Sequence, residues 1–352
     1  MTTVSVKASR SYDVTIGRGL LSRVGETAAA LFRGRTVAVV SESRVAPLYL
    51  DRTVKSLEEA GFRVVSFVFP AGEGAKNGKT YLELLEFLAQ NQITRADGLV
   101  ALGGGVVGDL AGFAAATFLR GVDFIQVPTT LLAAVDASVG GKTAIDLTHG
   151  KNLAGAFYQP RAVLCDLSTL DTLPDRVFSD GCAEVIKYGM LGDPQLLNTL
   201  ETTDFRTDSE EVVARCVASK RDLVEQDEFD TGARQLLNLG HTFGHGIEAC
   251  SGYAVSHGQA VAVGMVLVTR AAVSFGLCPE EVLPRLQALL ARYGLPDSTA
   301  YSPSALYERS LSDKKRAGGT IQLVVPTAWG TSELHPVPVA ELLDWIKRGV
   351  DR

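Results

Sequence analysis

The sequence has little cysteine and histidine, and it has no long apolar run. Its 352 residues include five cysteines and five histidines, and no two cysteines form a C-x-x-C pair. An odd number of scattered cysteines argues against a disulfide framework and is typical of a reducing compartment. The start of the chain, MTTVSVKASRSYD, lacks the apolar core of a signal peptide, and no run of about 18 apolar residues exists. We therefore expect a cytoplasmic protein without a membrane span.

An excess of positive charge is also absent. Lysine and arginine total 34 against 40 aspartate and glutamate residues, which gives a formal net charge of −6. A mildly acidic chain is a poor general binder of nucleic acid, so we expect none as a partner. A composition of 46% hydrophobic and 21% charged residues excludes a disordered chain. At about 150 residues per domain, the length favours two domains.

Apolar strand-like runs alternate with helical patterns in the first half of the chain. Such alternation predicts a parallel sheet with helices on both faces, and two runs at 2–8 and 12–16 predict an edge hairpin. The further predicted strands are Thr36–Val40, Arg63–Val68, Gly98–Leu102, Phe124–Val127 and Ala162–Cys165, and the predicted helices between them are Val45–Ala60, Lys79–Asn91 and Leu110–Phe118.

The periodicity changes to about 3.6 residues from Pro174 onward, which predicts a mainly helical second half. We therefore predict a Rossmann-like α/β domain at 1–170, a mainly helical domain at 171–352, and an active site in the cleft between them. The helices predicted here are Val177–Leu191, Ser209–Gln226, Thr242–Ala249, Gly258–Phe275, Pro279–Tyr293, Pro303–Leu311 and Val339–Val350, with one strand at Ile321–Pro326.

A glycine-rich turn follows the predicted strand at Gly98–Leu102. The sequence GLVALGGGVVGDLAG fits G-x-G-x-x-G, in which the backbone can approach a phosphate and the helix N-terminus faces the anion. Alone, the motif is equally typical of any tight βα turn. Loops after the two preceding strands carry Glu42 and the segment PAGEGAKNGKT, with Glu73 and Lys76. Loops after parallel strands share one sheet edge, so their convergence predicts a nucleotide site.

A second concentration of polar residues follows at 126–160. Its GGKT sequence resembles the end of a phosphate-binding P-loop, but the position of the first P-loop glycine holds Asp136. This departure disfavours a kinase or an ATPase. Lys142 and Lys151, which we place at helix starts, indicate an anionic ligand.

Three of the five histidines fall within seventeen residues, HTFGHGIEACSGYAVSH. His241 and His245 are four apart on a predicted helix, a spacing common among zinc ligands, but Thr242 replaces the glutamate of the H-E-x-x-H protease motif. A buried acid needs a partner such as a metal, and Glu184 lies among apolar residues on a predicted helix. We predict His241, His257 and either His245 or Glu184 as ligands. Basic and amide groups accumulate around them in the sequence: Lys187, Lys220, Arg234, Asn238, Lys314 and Lys315.

Long motifs in this chain resemble the 3-dehydroquinate synthase family of the shikimate pathway, which makes the precursor of aromatic amino acids. They occur in family order over most of the chain. The motifs are GGGVVGDLAGFAAATFLRG (103–121), VPTTLLAAVDASVGGKTAID (127–146), GKNLAGAFYQP (150–160), GCAEVIKYGML (181–191), RQLLNLGHTFGHGIE (234–248), HGQAVAVGM (257–265) and SDKK (312–315).

The resemblance implies particular roles for individual residues. It implies Zn²⁺, or alternatively Co²⁺, on Glu184, His241 and His257, with His245 instead at the substrate phosphate. It implies a homodimer in which Arg120 reaches the neighbouring subunit's pocket. It implies NAD⁺ on Glu42, Glu73, Lys76, Gly104, Gly105, Asp109, Thr129, Thr130 and Thr172, with Lys142 and Lys151 near cofactor and substrate. It implies substrate contacts from Asp136, Lys142, Lys151, Asn152, Lys187, Lys220, Arg234, Asn238, His245 and one of Lys314 or Lys315.

The resemblance further implies the reaction. The sugar phosphate 3-deoxy-D-arabino-heptulosonate 7-phosphate would become 3-dehydroquinate and phosphate by transient oxidation, β-elimination, reduction, ring opening and aldol closure. Glu42 and Arg44 depart from the aspartate and asparagine common in the family, which bears on the preference for NAD⁺ over NADP⁺. The alternatives are a sister cyclase acting on sedoheptulose 7-phosphate and a metal-dependent polyol dehydrogenase.

Overall fold

A computed structural model describes residues 1–206, 209–311 and 319–351 of the chain. These residues pack as two compact units. The first unit comprises Met1–Leu173 and Ser209–Phe229, and the second comprises Pro174–Asp208 and Asp230–Arg352. The first boundary between the two units, after Leu173, thus lies three residues beyond the domain boundary predicted at 170.

Seven strands of the first unit form one sheet. Their order is β1-β2-β9-β6-β5-β3-β4, and all neighbouring pairs are parallel except β1 with β2, which form the predicted edge hairpin. The remaining strands form two separate hairpins, β7-β8 and β10-β11. The strands are β1 (Thr2–Val6), β2 (Tyr12–Gly17), β3 (Thr36–Glu42), β4 (Arg63–Phe69), β5 (Gly98–Gly103), β6 (Asp123–Pro128), β7 (Lys142–Leu147), β8 (Gly150–Phe157), β9 (Ala162–Asp166), β10 (Thr320–Ala328) and β11 (Thr331–Pro338).

Helices cover the sheet in the first unit and dominate the second. None of the described helices is long and apolar enough to cross a membrane. The α-helices are α1 (Val24–Leu31), α2 (Ala46–Glu59), α3 (Gly78–Gln90), α4 (Gly105–Thr117), α5 (Asp175–Gly192), α6 (Pro194–Thr202), α7 (Ser209–Gln226), α8 (His241–Cys250), α9 (His257–Ser274), α10 (Val282–Arg292), α11 (Pro303–Leu311) and α12 (Leu342–Val350).

The central strand β3 shows how the sheet is buried on both faces. Its side chains alternate, so that Val37 and Val39 join the apolar cluster containing Leu57 of α2. Ala38 and Val40 join the opposite cluster, which contains Leu84 of α3. A strand buried on both sides reads as a continuous apolar run, and this confirms the predicted parallel sheet with helices on both faces.

Helix α7 was predicted within the helical domain, and this placement was wrong. The helix packs against β1 and β2 in the first unit. Its buried side chains include Val212, Val213 and Val217. Beside this packing, the backbone N–H of Lys7 donates to the Glu225 carboxylate at 2.7 Å. The sequence pattern identified the helix correctly but carried no information about which unit would cover its apolar face.

Other differences concern short elements. The sequence interpretation omitted α1, α6, β11 and the β7–β8 hairpin, and it began α4 at Leu110 rather than at Gly105. The prediction that Lys142 and Lys151 lie at helix starts was wrong, because they lie on β7 and β8. The many glycines of this segment hid the alternation that identifies a strand.

Helices α8 and α9 approach each other very closely. A Cβ atom at Gly264, within α9, would lie 2.0 Å from the carbonyl oxygen of Gly240 and 3.0 Å from the backbone nitrogen of Gly244. Both of these atoms belong to the backbone, so they cannot move aside cheaply. The close packing fixes the start of α8, where His241 lies, against the middle of α9.

We predict that Gly264→Ala lowers the free energy of unfolding by about 1–3 kcal/mol, because the added methyl group overpacks the α8–α9 contact. Chemical denaturation of the two proteins measures the difference. The matched control is Gly192→Ala at the end of α5, where an added Cβ meets no atom within 4 Å. The control is expected to be neutral or stabilising by up to about 1 kcal/mol. Equal stability of the Gly264→Ala variant and the parent would contradict the packing argument.

Candidate active site

Three residues from three helices of the second unit form a candidate metal centre. Glu184 of α5, His241 of α8 and His257 of α9 offer ligand atoms that all lie within 4.8 Å of one another. The Oε1 atom of Glu184 is 3.5 Å from His241 Nε2 and 3.3 Å from His257 Nε2. One carboxylate and two imidazoles form a donor set that suits catalytic Zn²⁺. These side chains fit a metal ion without rearrangement of the fold.

The charges around Glu184 show why this site favours a cation. The Glu184 side chain is fully buried and pairs with the equally buried Lys187, one turn along α5. Burial and the nearby Lys187 ammonium lower the pKa of His241 to about 3. Burial has the same tendency at His257, but the carboxylates of Glu184 and Glu248 outweigh it and raise the pKa of His257 to about 10. The buried carboxylates therefore favour positive charge at this position.

His245 and Glu248 lie beside this centre on the same helix. His245, Glu248 and His257 form a second group with ligand atoms within 4.8 Å. The His245 ring lies 5.5 Å from the His241 ring, centroid to centroid. The structure thus brings both predicted third ligands, Glu184 and His245, near the two histidines. The sequence interpretation did not single out Glu248, although its position three residues after His245 places both on one helical face.

Further predicted cationic and amide residues lie near the metal centre in the chain. Arg234 and Asn238 occupy the 3₁₀ turn Ala233–Asn238, which leads directly into α8, and Arg234 is buried. A buried guanidinium suits a carboxylate or phosphate in fork geometry. The predicted residues Lys314 and Lys315 lie outside the described residues.

The first unit contains a separate candidate site for a nucleotide phosphate at the ends of β5 and β6. Strand β5 ends at Gly103 and α4 begins at Gly105, so the N-terminus of a 13-residue helix faces outward from the predicted glycine turn. The Oγ1 atom of Thr129 is buried and has no hydrogen-bond partner among the described residues. A Cβ atom at Gly104 would lie 3.1 Å from the Thr130 side chain. These features fit a bound pyrophosphate.

Lys76, in the loop after β4, contacts side chains of helix α4 and of the β7–β8 hairpin. Its Nζ atom is 3.0 Å from Glu73 Oε1, 2.9 Å from Asp109 Oδ2 and 2.7 Å from the Asn152 amide oxygen. Asp146, to which the sequence analysis assigned no function, lies 3.8 Å from the same atom. Its carboxylate accepts a hydrogen bond from the backbone N–H of Asn152. Burial disfavours the charge of Lys76, but these carboxylates outweigh it and raise the pKa of Lys76. Burial raises the pKa of Asp109 to about 6 despite the nearby lysine.

Lys220 and Asp136 form another charged pair in the first unit. Asp136 lies in a π-helical turn, Ala133–Ala137, a rare conformation that is enriched at functional sites. The Lys220 ammonium on α7 contacts the Asp136 carboxylate and donates to its carbonyl oxygen at 2.7 Å. The placement of α7 in this unit is what brings the two residues together.

The remaining predicted residues have local partners or exposed positions. The Glu42 carboxylate accepts the backbone N–H groups of Arg44 and Val45 at 2.8 and 3.1 Å. The Thr172 hydroxyl shares a hydrogen bond with the Tyr49 hydroxyl. Arg120 is exposed and has a left-handed backbone with φ of 66°. Its role at a neighbouring subunit stays a prediction, as do the ligand contacts of Lys142 and Lys151.

Comparisons with known sequences give one consistent family. The family model described as 3-dehydroquinate synthase N-terminal matches residues 66–180, and the model described as 3-dehydroquinate synthase C-terminal matches residues 181–316. The chain is 42% identical over 345 residues to a 3-dehydroquinate synthase of Streptococcus suis (strain 05ZYH33). That match covers 96% of this chain and 97% of the relative.

Solved structures of related cyclases share the fold. A 2-deoxy-scyllo-inosose synthase with carbaglucose-6-phosphate, NAD⁺ and Co²⁺ matches with a TM-score of 0.89 and 26% identity, over 99% of this chain and all of the other. A 2-epi-5-epi-valiolone synthase of Streptomyces hygroscopicus with NAD⁺ and Zn²⁺ matches with a TM-score of 0.87 and 25% identity, over 98% of both chains. The two family models and the near-full-length relative agree, and the chain belongs to the 3-dehydroquinate synthase family.

Proposed function

We propose that the protein is a 3-dehydroquinate synthase, which converts 3-deoxy-D-arabino-heptulosonate 7-phosphate into 3-dehydroquinate and inorganic phosphate. The observation that carries the proposal is the grouping of Glu184, His241 and His257 beside Lys187, in a chain 42% identical to a named 3-dehydroquinate synthase. The elimination of phosphate makes the enzyme a lyase. The substrate and the two products balance without any net oxidation or reduction.

The two cofactors have separate places in this proposal. Zn²⁺, or Co²⁺ as in a related cyclase, would be held by Glu184, His241 and His257, and NAD⁺ would be held at the glycine turn of the first unit. When bound, the metal supplies Lewis acidity toward a substrate hydroxyl, and NAD⁺ supplies a hydride acceptor that is regenerated within each turnover.

The chain's own residues bind and orient a substrate with several negative charges. We assign the substrate carboxylate to Arg234, because its buried, planar guanidinium can hold both oxygens at once. Lys187 and Lys220, each already held by a carboxylate, keep a fixed positive charge where ionised oxygens of the substrate develop. His245 is exposed on α8 and can donate to a phosphate group.

Lys76 holds the nucleotide loops in place. Because one ammonium contacts Glu73, Asp109 and Asn152, the loop after β4, helix α4 and strand β8 keep one arrangement. A network of this kind reduces the cost of ordering loops when the cofactor binds. The chain therefore supplies binding, positioning and charge, and the cofactors supply the chemistry.

The decisive experiment measures phosphate release from 3-deoxy-D-arabino-heptulosonate 7-phosphate with zinc and a small amount of NAD⁺. We expect many phosphates per NAD⁺, no build-up of NADH absorbance, and loss of activity after metal removal by a chelator. Release from sedoheptulose 7-phosphate alone would instead make the protein a sister cyclase. Steady accumulation of NADH with a simple polyol would make it a dehydrogenase and contradict the proposal.

We predict that Thr129→Val weakens NAD⁺ binding about 3–10-fold without destabilising the free protein. The buried Thr129 hydroxyl has no partner among the described residues, so removing it relieves an unsatisfied group in the free state and deletes a contact in the complex. Calorimetric titration gives the affinity, and chemical denaturation gives the stability.

The matched control for this change is Thr53→Val in helix α2. The Thr53 hydroxyl is also buried, but it donates to the Tyr49 carbonyl at 3.0 Å. We expect this variant to lose about 1 kcal/mol of stability and to bind NAD⁺ normally. Unchanged NAD⁺ affinity in Thr129→Val would remove Thr129 from the cofactor site.

We predict that Arg234→Lys lowers kcat/KM for the carboxylated substrate about 10–100-fold, because lysine keeps the charge but loses the two-pronged hydrogen bonding. Steady-state kinetics measure the loss. The control is Arg285→Lys, whose guanidinium is partly exposed and pairs with Glu201 away from the proposed site. Kinetics in the Arg234→Lys variant equal to those of the parent would exclude Arg234 as the carboxylate ligand.

A further inference from the structure

We propose that Glu248 is a positioning residue for the metal ligand His257. In this assignment, the Glu248 carboxylate accepts the Nδ1–H of the imidazole and thereby presents Nε2 to the metal. The inference rests on the proposed metal-dependent function and adds a residue to it. No motif interpretation assigned Glu248 a role, although it lies within the HTFGHGIE sequence that carries two of the histidines.

The geometry around the His257 ring supports this assignment. Its Nδ1 atom lies 3.5 Å from Glu248 Oε2, and its Nε2 atom lies 3.3 Å from Glu184 Oε1. The two nitrogens of one imidazole therefore face two different carboxylates, one on α8 and one on α5. Glu184 Oε1 also lies 3.5 Å from Nε2 of His241, the second histidine of the centre.

His241 shows the same arrangement with a different outer partner. Its Nε2 atom lies 3.5 Å from Glu184 Oε1, and its Nδ1 atom lies 3.1 Å from the carbonyl oxygen of Leu239. Both imidazoles thus direct Nε2 toward Glu184 and Nδ1 toward an acceptor. Metal-binding histidines commonly use their second nitrogen in this way, and the outer acceptor fixes the tautomer and the ring orientation. For His241 the acceptor is backbone, whereas for His257 it is a side chain.

The surroundings of Glu248 are consistent with a structural task at the centre. Its side chain is buried on α8, where a carboxylate requires a polar partner to offset its loss of hydration. His257 is the first residue of α9, and helix ends are less restrained than helix interiors. A buried carboxylate on the neighbouring helix supplies the restraint that the helix end lacks. The close approach of α8 and α9 continues at Gly244, where an added Cβ would lie 3.1 Å from the Ala260 carbonyl oxygen.

The experiment measures zinc affinity in the absence of any sugar phosphate. We expect Glu248→Gln to weaken zinc binding about 10–100-fold in competition with a chromophoric chelator, because a neutral amide is a weaker acceptor for the His257 Nδ1–H and no longer raises the basicity of the ring. The visible absorption of the Co²⁺-substituted protein should change as well. The matched control is Cys250→Ala on the same helix, whose thiol faces the Ala305 carbonyl, and it should bind zinc like the parent. Zinc affinity within twofold of the parent in Glu248→Gln would overturn the assignment.

A double-mutant cycle separates positioning from direct ligation. If Glu248 acts through His257, then Glu248→Gln should cause no further loss of zinc affinity in a His257→Ala background. A full additional loss there would show that Glu248 binds the metal itself, as in the His245, Glu248 and His257 group, and would overturn the proposal.

Two further measurements distinguish a loss of zinc affinity from a failure to fold. Denaturation of the metal-free variants shows whether each one folds, and a variant that fails to fold is replaced by Glu248→Asp, for which the same direction and a smaller loss of zinc affinity are expected. Zinc affinity of Glu248→Asp equal to that of the parent would also count against the proposal. Because no sugar phosphate is present, failure of the phosphate-release experiment leaves this result unaffected.

Discussion

The buried Glu184 carboxylate is the group on which the second unit depends. A fully desolvated carboxylate costs several kcal/mol unless cations or hydrogen-bond donors surround it. Lys187 and two imidazoles perform this task, and they come from three helices. The helices can approach closely enough only because glycine lies at their contacts: a Cβ at Gly258 would be 1.9 Å from the Asp180 carbonyl. Packing and metal chemistry therefore impose the same requirement on this part of the chain.

The first unit uses the opposite arrangement, a buried cation among carboxylates. Lys76 lies between Glu73 and Asp109, and the burial of Asp109 raises its pKa to about 6 despite the nearby lysine. The parallel sheet makes this possible, because β5, β3 and β4 are neighbours and the loops at their ends share one edge. Each unit thus concentrates charge at a place defined by its backbone, which is typical of functional sites.

Strong periodic signals in the sequence predicted much of this structure. Continuous apolar strands gave the parallel sheet, and the glycine turn after β5 leads into a helix as expected. The histidine spacing pointed to the candidate metal ligands, although chemistry alone left His245 and Glu184 as alternatives for the third. The family resemblance pointed to Glu184, and the structure places the Glu184 carboxylate against the Nε2 atoms of both His241 and His257.

Weak or misleading local signals account for the rest. Strand β11 carries Pro336 and Pro338, which normally argue against a strand but are tolerated in a two-stranded hairpin where both strands are edges. The unit in which α7 packs depends on contacts distant in the sequence. The sequence carries no local signal that Glu248 is buried, because its burial depends on helices that pack against α8 from distant parts of the chain.

The central claim is a reaction in which a hydrogen leaves one carbon of the substrate and returns to it. The most direct test uses 3-deoxy-D-arabino-heptulosonate 7-phosphate carrying deuterium at C5, with nuclear magnetic resonance of the product. The account predicts that the label stays on the corresponding carbon of 3-dehydroquinate and does not enter the added NAD⁺. Loss of the label to solvent, or its accumulation in reduced nicotinamide, would contradict the account.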